Sequence, residues 1–88
     1  MKITILFFAT LRDKFGKEKT VKLNRNSTRL IEVISKVDGL KEEIVEGGSI
    51  KKMYKILVNG INVEFLDKLD TLVRDGDEIC IFPPAGGG

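Results

Sequence analysis

The strongest constraint on the fold is a single stripe of apolar residues at helical spacing. Its members, at positions i, i+3, i+4 and i+7, are Leu30, Val33, Ile34 and Val37. We expect an amphipathic helix from Arg29 to about Val37, with Ser27 or Thr28 as its N-cap and Asp38-Gly39 at its end. A chain of 88 residues has room for one hydrophobic core, so this helix would cover one face of a small sheet.

Short runs of β-branched and aromatic residues supply that sheet. The predicted strands are Lys2–Ala9, Lys19–Leu23, Tyr54–Val58, Ile61–Glu64 and Glu78–Phe82. Asn59-Gly60 favours a type I′ hairpin between the third and fourth strands, and Asp75-Gly76-Asp77 forms a tight turn before the last. We therefore predict an α+β domain, with a mixed four- to five-stranded sheet and one main helix packed on one face. The second strand would run antiparallel to the first.

The remaining segments carry weaker signals. Thr10–Phe15 is predicted to form a single helical turn ended by Gly16, and Leu40–Gly48 a second short helix. Leu66–Leu72 is expected to be an irregular connection. Its leucines at 66, 69 and 72 are all available for the core.

Strand alternation divides the apolar residues between two faces. Successive side chains of a strand point to opposite sides, so Ile3, Ile5 and Phe7 would face the helix together with Ile79 and Ile81. The other face would then carry Leu6, Phe8 and Phe82, because the first and last strands can lie side by side. We expect these three residues to form an apolar patch that docks a partner protein.

Composition excludes several functions. Fifteen basic and thirteen acidic residues are interspersed along the chain and leave a net charge of +2, which argues against a nucleic-acid partner. The chain has no histidine, which removes Ser-His and Cys-His nucleophile pairs and most zinc sites. The single cysteine, Cys80, permits no internal disulfide and is expected to be a small hydrophobe. We expect a cytoplasmic protein, monomeric when alone, without a membrane segment, a metal or a bound cofactor.

The last strand is followed by a tail, Pro83-Pro84-Ala85-Gly86-Gly87-Gly88. Two prolines hold such a tail extended, and glycine has no side chain to obstruct a narrow channel. At about 3.3–3.6 Å per residue the tail can reach roughly 20 Å. We therefore predict a globular domain over residues 1–82 and a flexible tail over residues 83–88 that enters another protein's active site.

Several motifs in this order resemble one family. They are Leu6-Phe7-Phe8-Ala9-x-Leu11-Arg12, Val58-Asn59-Gly60, Asp75-Gly76-Asp77-Glu78-Ile79, Phe82-Pro83-Pro84 and the terminal Gly87-Gly88. Each is common alone, but together they resemble the MoaD/ThiS family of ubiquitin-like sulfur carriers. The resemblance runs nearly end to end, and the opening motif and the Phe-Pro-Pro are most similar to MoaD, the small subunit of molybdopterin synthase.

The resemblance implies a β-grasp fold and a role for the tail. A MoeB-type, E1-like enzyme would use ATP to adenylate the Gly88 carboxylate, which a sulfur donor would convert to a thiocarboxylate. A MoaE-type large subunit would then hold the tail, with Gly87 and Gly88 beside the pterin precursor. The partners would contact the patch residues Leu6, Phe8 and Phe82 and the tail residues Pro83, Pro84, Ala85 and Gly86. The chain itself would be a non-catalytic subunit.

Three alternatives remain open at this stage. The chain could be a protein modifier of the small archaeal modifier type, with Gly88 forming an isopeptide bond to a target lysine. It could carry sulfur for thiamine synthesis or transfer-RNA thiolation, which is the same chemistry up to the acceptor. It could also be an interaction module whose tail has no chemical role, since a fold does not dictate a function.

Overall fold

The computed structural model describes residues 1–84. The strands in this part of the chain are β1 (Lys2–Phe7), β2 (Glu18–Lys22), β3 (Ser27–Arg29), β4 (Val45–Glu46), β5 (Ser49–Ile50), β6 (Lys55–Val58), β7 (Ile61–Asn62), β8 (Leu72–Arg74) and β9 (Glu78–Phe82). The helices are α1 (Thr10–Phe15), α2 (Leu30–Ile34) and α3 (Leu40–Ile44), and 3₁₀ turns span Val63–Phe65 and Lys68–Asp70.

Five of these strands form one mixed sheet, in the order β2-β1-β9-β6-β7. The first and last strands, β1 and β9, are parallel neighbours at its centre, and the other pairs are antiparallel. The predicted α+β class, the antiparallel β1–β2 pair and the contact between terminal strands are therefore confirmed. Two smaller sheets, β3–β8 and β4–β5, complete the strand pairing within residues 1–84.

The core lies on one face of the five-stranded sheet, as the alternation predicts. Ile3, Ile5 and Phe7 of β1 are fully buried, and so are Ile79 and Ile81 of β9. The predicted helical stripe is also buried: Leu30, Val33, Ile34 and Val37. Leu40 and Ile44 of α3 join the same cluster. The buried apolar side chains of the described residues thus form one core.

The start of the main helix differs from the prediction. Ser27 and Thr28 are not N-caps, because both lie in β3, which pairs with β8. The cap position falls on Arg29, which makes no side-chain capping bond. The Thr28 hydroxyl instead donates to the Glu32 carboxylate at 3.0 Å. Pairing with a strand more than forty residues away in the chain is a long-range effect that local spacing does not report.

The segment before the last strand is also more ordered than expected. Of the three leucines available for the core, Leu69 is buried, whereas Leu66 is 41% exposed and Leu72 is 52% exposed. Leu72 lies in β8, where alternation turns Val73 inward and its neighbours outward. The hairpin is confirmed, since Asn59 and Gly60 both have positive φ. Its second strand is shorter than predicted and ends at Asn62.

Candidate functional site

The outer face of the sheet, opposite the core, carries an apolar patch that spans three strands. Leu6 of β1 lies beside Cys80 of β9, and Cys80 lies beside Leu57 of β6. Phe8 follows β1 and stacks on Phe82, with ring centroids 4.3 Å apart and planes inclined by 13°. We call these five residues, all partly exposed, the outer patch. The predicted grouping of Leu6, Phe8 and Phe82 is thus present, whereas their role in docking stays a prediction.

Leu57 and Cys80 are the members of the outer patch that the sequence prediction omitted. For Leu57 a signal was available in the sequence, because the charged Lys55 favours the solvent face and the strand period of two places Leu57 on that same face. Its position beside Cys80 depends on the register of β6 against β9. A single strand does not report that register. The sequence could therefore indicate which face of the sheet Leu57 occupies, but not which residue lies beside it.

Polar and charged residues surround the outer patch. Glu18 lies opposite Leu6 across the β1–β2 ladder, and Lys55 lies opposite Phe82 across the β6–β9 ladder. Both are exposed. An apolar centre with a charged rim is the usual composition of an exchangeable protein–protein interface.

A tight turn presents Phe8 to its stacking partner. The Leu11 N–H donates to the Phe8 carbonyl at 3.1 Å, and Ala9 between them has φ 51° and ψ −130°. These angles are those of the first central residue of a type II′ turn, a position that glycine normally occupies. The turn reverses the chain directly after β1 and leads into α1. It fixes Phe8 at the carboxyl end of β1, next to the carboxyl end of β9.

A second set of bonds anchors the start of β9. The Asn59 side chain donates to the Asp77 carboxylate and accepts from the Glu78 N–H, both at 2.9 Å. Asp75 accepts from the Lys2 N–H at 2.7 Å. The carboxylates of this turn thus hold backbone and amide groups, as expected of a turn. Within residues 1–84, no group of three or more histidine, cysteine or acidic residues could hold a metal ion.

Cys80 lies at the centre of the outer patch. Burial raises the pKa of its thiol, and the neighbouring Glu78 carboxylate raises that pKa further. The thiol is therefore protonated at neutral pH, and a protonated thiol is a poor nucleophile. This agrees with the expectation that Cys80 is a small hydrophobe.

The exit of the chain from the sheet lies beside the outer patch. Because β1 and β9 are parallel, Phe8 and Phe82 share one end of the sheet, and Pro83 and Pro84 follow in no regular structure. Both prolines are partly buried. The predicted site residues Ala85, Gly86, Gly87 and Gly88 lie outside the described residues. The part of the tail that is described therefore begins next to the surface proposed to dock a partner.

Comparison with known proteins gives the family. The model of the ThiS family matches residues 5–88. The chain belongs to the ThiS family. Its members are ubiquitin-like sulfur carriers of the ThiS/MoaD kind, as the motifs indicated. In the described chain, none of the helices is long and apolar enough to cross a membrane.

Several curated relatives match over the full length of both chains, and two of them carry different names. Small archaeal modifier protein 3 of Haloferax volcanii is 32% identical over 92 aligned positions. The molybdopterin synthase sulfur carrier subunit of Chlamydomonas reinhardtii is 29% identical over 89. The ThiS family thus includes relatives with different names for their biological role.

Solved structures agree with the fold. The solution structure of the HVO 2177 protein of Haloferax volcanii superimposes with a TM-score of 0.82 at 32% identity, covering 100% of this chain and 87% of that one. The CysO chain in the BexX/CysO complex of Amycolatopsis orientalis gives 0.78 at 29% identity, covering 98% and 99%. The predicted β-grasp fold is therefore confirmed. The second structure also shows that a ThiS-family neighbour forms a complex with another protein.

Proposed function

We propose that this ThiS-family protein carries sulfur as a thiocarboxylate on Gly88. An activating enzyme joins the Gly88 carboxylate to the AMP portion of ATP and releases pyrophosphate. A donor at the oxidation level of sulfide then displaces AMP, which leaves sulfur bonded to the carbonyl carbon. Adenylation is required because a carboxylate is a poor electrophile and AMP is a good leaving group. The tether keeps the sulfur at high local concentration near its acceptor.

The observation that carries this proposal is the placement of the outer patch beside the chain exit. A partner that covers Leu6, Phe8, Leu57 and Phe82 would lie at the end of the sheet from which Pro83 and Pro84 leave. Ordering the six tail residues costs about 1–2 kcal/mol each, less at the prolines. Contacts of the tail alone could not offset both that cost and the cost of association, so a docking surface on the folded domain is required.

The size of the outer patch suits a carrier that exchanges partners. Complete burial of the four large apolar side chains Leu6, Phe8, Leu57 and Phe82 contributes roughly 6–12 kcal/mol at about 1.5–3 kcal/mol each, and these side chains are already partly buried. Association costs about 4–15 kcal/mol, so the patch and tail together favour a complex of modest affinity. A carrier must leave its MoeB-type activating enzyme before it binds the enzyme that receives the sulfur.

For the acceptor, we propose the pterin precursor of molybdopterin, with a MoaE-type large subunit as the partner. Support comes from the Leu6–Arg12 motif and from Phe82-Pro83-Pro84, which are most similar to MoaD, and from the relative in Chlamydomonas. ATP would be consumed by the activating enzyme, and the chain itself would bind no cofactor.

A second candidate function is protein modification, in which the activated Gly88 forms an isopeptide bond with a lysine. The observation that favours it is the full-length match at 32% identity to a protein named as a small archaeal modifier. Both functions share the adenylation step and differ in the nucleophile that follows.

One experiment on the purified protein tests the shared chemistry and separates the two outcomes. The protein is incubated with its cognate activating enzyme, ATP and sulfide, and its intact mass is measured. The carrier function predicts a gain equal to the difference between a sulfur and an oxygen atom. Conjugation predicts heavier species on a denaturing gel that resist thiols. Rescue of molybdopterin synthesis in a strain lacking the small subunit then tests the acceptor; failure to rescue despite thiocarboxylate formation would contradict the molybdopterin assignment.

A further inference from the structure

A basic groove lies along β2, at the edge of the five-stranded sheet farthest from β7. It has a volume of about 530 Å³ and runs between β2, α1 and the segment after α2. Its floor is formed by Phe15, Val21 and Val37, which are 8%, 6% and 8% exposed. Its rim carries four lysines, at positions 14, 19, 22 and 36. The groove thus combines an apolar floor with a concentration of positive charge that the alternating charges of the sequence did not indicate.

Most of this charge is not neutralised by the chain itself. Lys14 pairs with Glu43 at 2.5 Å, but within residues 1–84 Lys19, Lys22 and Lys36 take part in no ion pair. Asp38 is the one carboxylate among the lining residues. The groove therefore keeps a net positive charge that favours an anionic occupant.

The β2 strand is also a free edge of the sheet. In the described chain it pairs with β1 alone. The Phe7 N–H donates to the Lys17 carbonyl at 3.0 Å and the Leu23 N–H to the Met1 carbonyl at 2.9 Å, so odd-numbered residues of this segment bond to β1. By the alternation of an antiparallel ladder, Glu18, Thr20 and Lys22 direct their N–H and C=O groups away from the sheet. Such a row of unpaired backbone N–H and C=O groups can pair with a further strand.

We infer that β2 binds an extended acidic segment of a partner protein as an added strand. Side chains opposite Lys19 and Val21 would enter the groove, because paired residues in neighbouring strands share a face. A carboxylate there meets Lys19 and Lys36, and an apolar side chain meets Val21. The same lysines repel the β2 edge of a second copy, so the charge selects against self-pairing.

Strand binding at the β2 edge would be a role additional to the sulfur-carrier function, and the surface that serves it is separate from the outer patch. Lys19 and Val21 pair with Ile5 and Ile3, which face the core, whereas Leu6 faces the other way. Occupation of the groove therefore leaves the outer patch accessible. A bound segment would link the carrier to a partner without blocking the enzyme that receives the tail.

Binding of a synthetic peptide to the intact protein tests the inference. The probe is a short fluorescent peptide in which every second residue is threonine. The residues between the threonines are glutamates, except for one central valine. Fluorescence anisotropy measures the dissociation constant of this peptide. Lys19→Glu/Lys36→Glu should weaken binding about tenfold, because two attractions become repulsions. The matched control, Lys52→Glu/Lys68→Glu, carries the same change of net charge outside the groove and should bind as the parent does.

A second pair of measurements separates strand addition from attraction of charge alone. Thr20→Pro removes an outward N–H at an edge position that tolerates proline, and it should weaken binding. The same peptide with alternate backbone nitrogens methylated keeps its charge but loses half its donors, and it should bind at least tenfold more weakly. Equal binding of the methylated peptide, an equal loss in the Lys52/Lys68 control, or binding of single-stranded RNA in place of the peptide would each overturn the inference.

Discussion

Replacing Ala9 by glycine should make the protein more stable, although glycine usually destabilises a fold. Ala9 occupies a backbone region, φ 51° and ψ −130°, that side chains with a Cβ rarely adopt. It holds this conformation because the turn bond from Leu11 to Phe8 and the stacking of Phe8 on Phe82 constrain the chain on both sides. The Ala9 side chain is exposed, so its removal leaves no cavity.

The expected magnitude is the difference between two opposing effects. A residue held in such a region costs about 1–3 kcal/mol, which glycine does not incur. Glycine in turn makes the unfolded chain more disordered, at a cost of roughly 0.5–1 kcal/mol. Ala9→Gly should therefore raise the free energy of unfolding by up to about 2.5 kcal/mol. For a domain of this size, each kcal/mol corresponds to a Tm change of about 4–8 °C.

Urea denaturation with an unchanged m value measures the difference directly. Thr10→Gly is the matched control, because Thr10 is the exposed next residue, has no positive φ and begins α1. Glycine there should lower the free energy of unfolding by about 0.3–0.5 kcal/mol, because threonine is itself a weaker helix former than alanine. If Ala9→Gly lowered stability as much as Thr10→Gly does, the turn would not be strained and the account of how Phe8 is positioned would be wrong.

Three further predictions follow from the site and its surroundings. Phe8→Asp should weaken capture of the partner enzymes by at least tenfold, because it puts a charge into the outer patch and removes the ring that stacks on Phe82; unchanged capture by the folded variant would show that the outer patch does not dock these partners. Cys80→Ser should leave sulfur transfer at the parent rate, and loss of transfer in a folded variant would assign the thiol a chemical role. The hydrogen bond to Glu43 raises the pKa of Tyr54 from 10.0 to about 12, so this bond stabilises the fold fully below pH 10 and less as the pH approaches 12. Tyr54→Phe should remove that loss of stability at alkaline pH when the free energy of unfolding is measured against pH. If the variant and the parent lost the same stability between pH 10 and 12, the bond would be absent.

Local patterns predicted the parts of the fold that depend on neighbouring residues. The alternation in Ile3–Phe8 and Glu78–Phe82 assigned each side chain to the correct face, because a strand has a fixed period of two. The spacing of Leu30, Val33 and Ile34 marked the buried face of the main helix, and Asn59-Gly60 gave the hairpin.

Features that depend on distant residues could not be predicted in this way. In the β3–β8 pair, Thr28 lies opposite Val73. Because of this pairing, Thr28 is part of a strand and is not the helix N-cap that the sequence predicted. The conformation of Ala9 was hidden because the residue type at that position is not the one that favours the turn. The basic groove likewise depends on how β2 lies against the segments that carry Lys14 and Lys36.

The residues of the candidate site likewise divide into those that local patterns predict and those that depend on distant parts of the chain. Leu6, Phe8 and Phe82 were predicted from strand parity, and the structure adds Cys80 and Leu57 through the registers of β9 against β1 and of β6 against β9. The residues that would carry the chemistry, Gly87 and Gly88, were proposed from the tail and the family motifs and remain a prediction.

The most direct test of the account is pyrophosphate release during activation of the carboxyl terminus. The cognate activating enzyme, ATP and the native chain should release pyrophosphate, whereas a chain extended by one tryptophan after Gly88 should release none. Two results would contradict the claim that the Gly88 carboxylate is the group that carries sulfur. One is that the native chain releases no pyrophosphate, and the other is that the extended chain releases as much pyrophosphate as the native chain.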